Sequence, residues 1–142
     1  MRIAFGVGAL AFGVGTIFGS ASPGLAASPF DGTWSLVVVC SDAGDVKGYT
    51  WRFPAHVRGG QFSGKFVSSE DSLTYGVLTG AIGASGDALL TMNGSAGAPV
   101  YNIHHAPRYS KIHYTASAHF DATSGSGTRA EQRPCSLSFT KN

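Results

Sequence analysis

Alternation of apolar and polar residues along most of the chain predicts β-strands rather than helices. The clearest case is the segment 49–57, in which Tyr49, Trp51 and Phe53 alternate with polar residues. A period of two places successive side chains on opposite faces of a sheet. After position 27 glycine recurs every few residues, and no long stretch carries apolar residues at helical spacing. The pattern therefore predicts an all-β domain.

Short strands separated by turn residues account for the rest of the chain. A bend at Pro134 leaves open whether the last two strands are one, which gives eight or nine in total. Pro54 cannot donate a hydrogen bond to a neighbouring strand, so an edge position or a bulge is expected there. The predicted strands are residues 33–40, 49–57, 61–67, 72–81, 88–93, 100–105, 111–120, 126–133 and 135–141.

The two cysteines of the chain mark the ends of this array. Cys40 closes the first predicted strand and Cys135 opens the last. Hairpin connections place each strand beside the next, and closure of the sheet brings the first and last strands together. A Cys40–Cys135 disulfide fits this arrangement, because its Cα atoms must lie within about 7 Å. We therefore expect a small antiparallel meander barrel of about eight strands closed by a disulfide, with an open β-sandwich and two unpaired thiols as the alternatives.

The first 27 residues have the order of a secretory signal peptide. A basic start at Met1-Arg2 is followed by an uncharged apolar run over 3–18 and a small-residue region over 19–27. The apolar run is shorter than the roughly 20 residues that a membrane-spanning helix needs. We expect cleavage after Ala26 or Ala27 and export to the periplasm or the medium. A single domain over 28–142, without a membrane span, would remain.

Charge excludes two classes of partner. Lysines and arginines are scattered, and the formal charge of +2 becomes +1 once Arg2 is removed. Nucleic-acid binding would require a basic patch, and membrane-surface binding a basic amphipathic helix. Neither pattern is present. An outer-membrane barrel is disfavoured because the outward faces are polar and the chain ends in Lys141-Asn142.

The tetrapeptide at 31–34 (DGTW) resembles the G-x-W opening of the calycins, the class of barrels that includes lipocalins and avidins. The resemblance implies that Trp34 packs at a closed end of the barrel against an arginine, which Arg129 or Arg133 matches. Residues 30–141 also resemble a group of small exported proteins of soil α-proteobacteria, with a D-G-x-W strand, an early cysteine and a late cysteine strand. This second resemblance implies export and a compact β domain but no activity.

The sequence gives little support for catalysis or for metal binding. His113 and His119 lie about 20 Å apart on one strand, so a metal site would have to pair His104 or His105 with His113 across the turn at Pro107. Most carboxylates fall in turns, where they bond local backbone, and no G-x-S-x-G motif occurs. We expect no enzyme activity, no cofactor and no metal. The histidines considered are His56, His104, His105, His113 and His119.

Aromatic residues on inward faces suggest a ligand-binding barrel. Eight strands enclose just enough space for packed side chains or for one small ligand, and the small residues Gly64, Ala116 and Ala118 either leave space or accommodate bulky neighbours. The leading hypothesis is non-catalytic binding of a small apolar or amphipathic molecule inside the barrel. The alternative is a protein-binding module, such as a secreted inhibitor or an envelope interaction protein, that acts through the loops 41–48 and 94–99. The candidate ligand-binding residues are Trp34, Trp51, Phe53, Phe66, Tyr75 and Tyr114.

Overall fold

Eight antiparallel strands form a closed barrel in the computed structural model, which describes Gly24 and residues 26–142. Each strand pairs with the next, and β8 pairs with β1, so the predicted all-β meander barrel is confirmed and the open sandwich is wrong. Most of the predicted signal peptide, residues 1–23 and 25, lies outside the described residues. The strands are β1 (Gly32–Cys40), β2 (Tyr49–Arg58), β3 (Gln61–Val67), β4 (Tyr75–Ala81), β5 (Asp87–Ser95), β6 (Lys111–Phe120), β7 (Ser124–Arg129) and β8 (Cys135–Lys141).

In Gly24 and residues 26–142, helical structure is confined to two short 3-10 turns between β5 and β6, at Pro99–Tyr101 and Ile103–His105. Within the described part of the chain, no helix has the length and apolar character needed to cross a membrane.

The first and last strands are joined covalently as well as by hydrogen bonds. Cys40 lies directly opposite Cys135 in the antiparallel register of β1 and β8. The two residues form a disulfide, with Cα atoms 4.1 Å apart, and both side chains are buried on the inside of the barrel. The predicted bridge is confirmed.

The middle of the barrel is packed. On β4 and β5 the side chains of Leu78 and Leu90 are fully buried. Gly64 faces inward on β3, where an added methyl group would lie 3.1 Å from the ring of Phe53. This small residue therefore accommodates a bulky neighbour instead of leaving space for a ligand.

Aromatic side chains close one end of the barrel. Trp34 is fully buried and packs edge-on against Phe120 with ring centroids 5.4 Å apart, and Phe120 packs against Phe139 at 4.5 Å. The segment before β1 seals this closed end: Phe30 is buried, and its carbonyl accepts a 2.9 Å hydrogen bond from Trp34 Nε1. The buried indole N–H is thus satisfied.

The arginine that the calycin resemblance implied beside Trp34 is not there. Arg129 pairs with Cys135 at the start of β8, whereas Trp34 pairs with Lys141 at its end. The cation over the indole is therefore Lys141, with Nζ 5.9 Å from the ring centroid. Arg129 and Arg133 belong to the opposite end of the barrel.

The strand predicted at 100–105 is wrong. His104 and His105 have φ angles of 55° and 50°, in the left-handed region that a strand cannot contain. The segment forms the two 3-10 turns instead, and its backbone amides bond local carbonyls, for example from Asn102 to Pro99 at 3.0 Å. The penultimate strand is also shorter than predicted: β7 ends at Arg129, which leaves Arg133 in the β7–β8 loop.

The inward face of β4 is the opposite of the predicted one. Gly76, Leu78 and Gly80 point toward the interior, and Tyr75 points outward. The prediction of Tyr75 as a ligand-binding residue followed the larger side chains of this strand. Two inward positions of this strand carry glycine, so residue size misled the assignment.

Pro54 lies where β2 and β3 separate. β2 pairs with β1 along its whole length but with β3 only from Arg58–Gln61 to Ala55–Gly64. Pro54 is the first residue beyond this pairing, and it has no N–H to offer β3. Pro54 therefore lies at a local edge, where β2 and β3 are not paired although the barrel as a whole is closed.

Removing the disulfide should lower stability, because the bridge joins residues 95 positions apart and restricts the unfolded chain. The loop-entropy model gives a loss of about 3–5 kcal/mol in the free energy of unfolding. Urea unfolding of the Cys40→Ser/Cys135→Ser double variant measures it. The wild-type protein in dithiothreitol is the matched control and should unfold at a similar midpoint. An unchanged midpoint in both samples would show that the bridge adds no stability.

Trp34→Ala should lower the free energy of unfolding by about 3–5 kcal/mol, because it leaves a large cavity in the closed end. Leu89→Ala is the matched control: Leu89 is 63% exposed on β5, and its truncation should change stability by less than about 0.5 kcal/mol. Both values come from the same urea titration. A loss below about 1 kcal/mol for Trp34→Ala would contradict its assignment to the core.

Candidate ligand-binding site

The end of the barrel opposite Trp34, called here the open end, holds a cavity of about 810 Å³. The start of β2 and the β3–β4, β5–β6 and β7–β8 loops form its walls. Its volume lies in the range of about 300–1,000 Å³ that is typical of small-molecule sites. The lining on β2 ends at Arg52, before the packed middle of the barrel. The space available to a ligand is therefore at the mouth of the barrel, not in its centre.

A stack of aromatic rings forms one wall of this cavity. Trp51 and Phe66 lie parallel, with centroids 4.4 Å apart and an interplanar angle of 9°. Tyr49 extends the wall, with its ring 5.1 Å from Trp51. All three side chains are half-buried and line the cavity. Trp51 lies on β2 and Phe66 on β3, in the parts of these strands beyond their last paired residues, Ala55 and Gly64.

Four of the six predicted ligand-binding residues belong to this end. Trp51 and Phe66 line the cavity directly. Phe53 is buried below them, with its ring 6.1 Å from Phe66. Tyr114 is buried beneath the guanidinium of Arg129, which lines the cavity.

The other two predicted residues lie elsewhere. Trp34 is part of the closed end, on the far side of the packed core. Tyr75 faces outward from the barrel wall, where Lys65 Nζ lies 5.8 Å from its ring centroid. Neither residue lines the cavity.

Arg129 is a cavity residue that sequence reasoning did not assign to the site. Its guanidinium lies 3.9 Å from the ring centroid of Tyr114, a close cation–π contact. Nε donates to the carbonyl of Glu131 at 3.0 Å, and Nη2 donates to Gln132 Oε1 at 2.8 Å. Burial lowers the pKa of Arg129, and it raises the pKa of the Tyr114 hydroxyl. That hydroxyl has no hydrogen-bond partner among the described residues.

Arg133 ties together the loops around the open end. Its guanidinium donates to the carbonyls of Tyr101 and Lys47, both at 3.0 Å, and to the carbonyl of Ser41. Its central carbon lies 5.3 Å from the ring centroid of Tyr49. The β7–β8 loop thereby holds the β1–β2 and β5–β6 loops in place. The sequence indicated Arg133 only as a candidate partner of Trp34, and it placed this residue at the end of a predicted strand instead of in a loop.

Cations outnumber anions in the lining of the cavity, although one of them, Arg108, is paired with Asp71 at 3.4 Å. Its lining contains five of the ten lysines and arginines of the chain but only one of the eight acidic residues, Glu70. Low-dielectric walls around charges of one sign concentrate their potential. The cations are Arg52, Arg108, Lys111, Arg129 and Arg133.

The β1–β2 and β5–β6 loops also meet through an exposed ion pair. His105 Nε2 lies 2.6 Å from Asp45 Oδ2. The hydrogen bond that His105 donates to the Asp45 carboxylate raises the pKa of His105 and lowers the pKa of Asp45. His105 is therefore a contact between loops rather than part of the predicted strand.

The remaining histidines are dispersed. His113 Nδ1 lies 2.8 Å from Asn93 Oδ1, and His119 Nδ1 lies 2.8 Å from Asp87 Oδ1. Among the described residues, no group of three or more histidine, cysteine or acidic side chains is placed to hold a metal ion.

Asp45→Asn should lower the pKa of His105 toward about 6.5, its unperturbed value. The ion pair contributes fully to stability between about pH 3.8 and pH 6.5. Its contribution is lost as the pH rises through the raised pKa of His105, and it is also lost when acid protonates Asp45 below about 3.8. NMR titration of the imidazole protons measures the shift. His119, whose pKa is raised by Asp87, is the internal control and should titrate unchanged. An unaltered pKa of His105 would contradict the contact.

Comparison with known proteins adds no family to this description. The chain matches no protein-family model, and no curated protein or solved structure is significantly similar to it. The resemblances to calycins and to small exported proteins therefore stay predictions, and the geometry of the open end is the basis for assigning a function.

Proposed function

We propose that the chain is an exported, non-catalytic binding protein that takes up a small amphipathic molecule at the open end of its barrel. One observation carries the proposal: the stacked rings of Trp51 and Phe66 line an open cavity of about 810 Å³. Half-buried aromatic rings beside such a cavity offer a large apolar surface to a ligand, which gains free energy by leaving water.

The ordered loops around the cavity support binding by a preformed site. Arg133 holds carbonyls of the β1–β2 and β5–β6 loops, and Lys47 donates its backbone N–H to Val100 at 2.9 Å. Asp45 and His105 add a side-chain contact between the same loops. A site whose loops are already ordered loses less conformational entropy when a ligand binds.

Export and the absence of catalysis belong to the same proposal. Disulfides persist in oxidising compartments outside the cytoplasm, so the Cys40–Cys135 bridge supports export together with the predicted signal peptide. His105 and His113 are each bonded to a neighbouring side chain at the surface, which supports a structural role for them.

Trp51→Ala should weaken the binding of N-phenyl-1-naphthylamine, a neutral probe whose fluorescence rises when it leaves water. Loss of the indole removes half of the aromatic stack, and we expect an increase in Kd of about tenfold. Fluorescence titration measures Kd. Trp34→Phe, at the closed end, is the control and should bind the probe as the wild type does. Equal affinities of Trp51→Ala and the wild type would contradict binding at the open end.

A protein-binding module is the second candidate, and one observation favours it. Leu73 and Tyr109 are 60% and 48% exposed in the β3–β4 and β5–β6 loops, and Val67 and Tyr101 are exposed beside them. These apolar side chains surround the open end, whereas the predicted contact loops 41–48 and 94–99 are mostly polar or small. If the wild type binds neither this neutral probe nor an anionic analogue of it, this exposed rim becomes the better candidate for function.

A further inference from the structure

Binding of a purely apolar molecule does not account for the two arginines of the open end. Arg129 and Arg133 are only 5% and 2% exposed. Neither guanidinium forms an ion pair with a carboxylate anywhere in the described part of the chain. Removing cations from water costs free energy unless anions or aligned dipoles compensate.

The two arginines differ in how far hydrogen bonds compensate for the burial of their charge. Arg133 donates from both terminal nitrogens to three backbone carbonyls, in two loops, although its buried Nε has no partner among the described residues. Arg129 has one carbonyl and one amide oxygen as acceptors, through Nε and Nη2. Both terminal nitrogens of Arg133 are therefore bonded to loop carbonyls, whereas Arg129 keeps one terminal nitrogen without an acceptor.

The third nitrogen of Arg129 is available to a ligand. Nη1 has no acceptor among the described residues, and it is not one of the polar atoms that are completely buried without a partner. Arg129 itself lines the cavity. Nη1 thus keeps two N–H groups without an acceptor, in a side chain that lines the cavity.

No carboxylate of the neighbouring loop occupies this position. The Glu131 carboxylate bonds Thr115 instead, at 2.5 Å from Oγ1 and 3.4 Å from the backbone nitrogen, on the exposed outer surface. The lowered pKa of Arg129, caused first by burial, is the expected sign for a cation with incomplete compensation.

Cationic and aromatic surfaces are continuous within the cavity. The guanidinium of Arg133 lies over Tyr49, the ring of Tyr49 lies 5.1 Å from Trp51, and Trp51 stacks on Phe66. A molecule that contacts the stack can therefore reach the positive region without leaving the cavity.

We propose that the ligand of this cavity is an organic anion: an aromatic or aliphatic body that lies on Trp51 and Phe66, with one carboxylate, sulfonate or phosphate group that accepts hydrogen bonds from Arg129 Nη1. This inference rests on the proposed function and adds the charge of the ligand. Hydrogen bonds between an arginine and an oxyanion are stronger than those between neutral groups, and they gain further strength away from bulk water. Arg133 is a positioning residue that holds the loops and adds positive potential.

Two fluorescent probes that differ by one sulfonate test this proposal. N-phenyl-1-naphthylamine is neutral, and 1-anilinonaphthalene-8-sulfonate carries the same ring skeleton with an anionic group. We expect the wild type to bind the sulfonate probe more tightly than the neutral one. Arg129→Gln should weaken binding of the sulfonate probe by about 10- to 100-fold, the range for one hydrogen bond to a charged group. Affinity for the neutral probe, which lacks the oxyanion, should fall much less.

Matched variants distinguish a specific contact between the probe and Arg129 from an effect of the protein's net charge. Arg58→Gln removes the same charge from the opposite end of the barrel, where Arg58 pairs with Gln61, and should leave both affinities unchanged. Arg129→Lys keeps the charge but loses the planar fork, so its affinity for the sulfonate probe should be intermediate. Neutral-probe binding reports that each variant has kept the site. If Arg129→Gln does not fold, Arg129→Lys and the two-probe comparison in the wild type decide the question.

Four outcomes of these titrations would overturn the proposals, and they can be told apart. Equal affinity of the wild type for the two probes, or equal loss of both in Arg129→Gln, would reject an anionic ligand while leaving cavity binding in place. An equal loss of sulfonate binding in Arg58→Gln would assign it to net charge instead of the site. Failure of the wild type to bind either probe would reject the proposed function itself.

Displacement of the sulfonate probe identifies the oxyanion. Decanoate, decanesulfonate and decyl phosphate share an alkyl chain and differ in the anionic group, and decanol is the neutral control. We expect at least one of the three anions to displace the probe at lower concentration than decanol does. Displacement by decanol at the same concentration as all three anions would overturn the proposal.

Discussion

Pairing of the first strand with the last is the constraint on which the rest of this structure depends. Once β1 and β8 are in register, with Cys40 opposite Cys135 and Trp34 opposite Lys141, every strand has two neighbours. A slip of one residue would turn the side chains of a strand to the other face, and the disulfide prevents such a slip between β1 and β8. The same register decides which residues gather at which end, because it fixes the height of each side chain along the barrel.

The two ends then differ in how completely their polar groups are hydrogen-bonded and their apolar groups are packed. At the closed end, Trp34 donates its only polar hydrogen to Phe30, and aromatic rings fill the remaining space. At the open end, pairing between β2 and β3 stops at Pro54, and the cavity adjoins that break. Unsatisfied groups concentrate here, namely the Tyr114 hydroxyl and Nε of Arg133. Departures from full satisfaction are typical of functional sites, since a fully satisfied surface has little to offer a ligand.

Local alternation in the sequence was sufficient to predict most of the fold. It predicted β1, β2, β3 and β6 closely, and the positions of Cys40 and Cys135 indicated the closure that the structure has. It also placed Trp51 and Phe66 among the inward aromatic residues. The prediction failed in two places. Inward glycines on β4 led to the assignment of Tyr75 to the interior, and residues 100–105 were predicted as a strand although His104 adopts a left-handed backbone conformation.

The sequence by itself therefore determined most of the strand content and of the aromatic composition of the interior, because both depend on residues near one another in the chain. It also determined the cysteine pairing, because the chain has only two cysteines and they lie in the first and last strands. Only the tertiary structure decided that Arg129 and Arg133 lie at the open end and that the middle of the barrel is packed. Those properties depend on the register between strands that are distant in sequence and on the volumes of side chains that meet across the barrel. Neither quantity is encoded in local periodicity, so the charge of the candidate site became visible only once the sheet had closed.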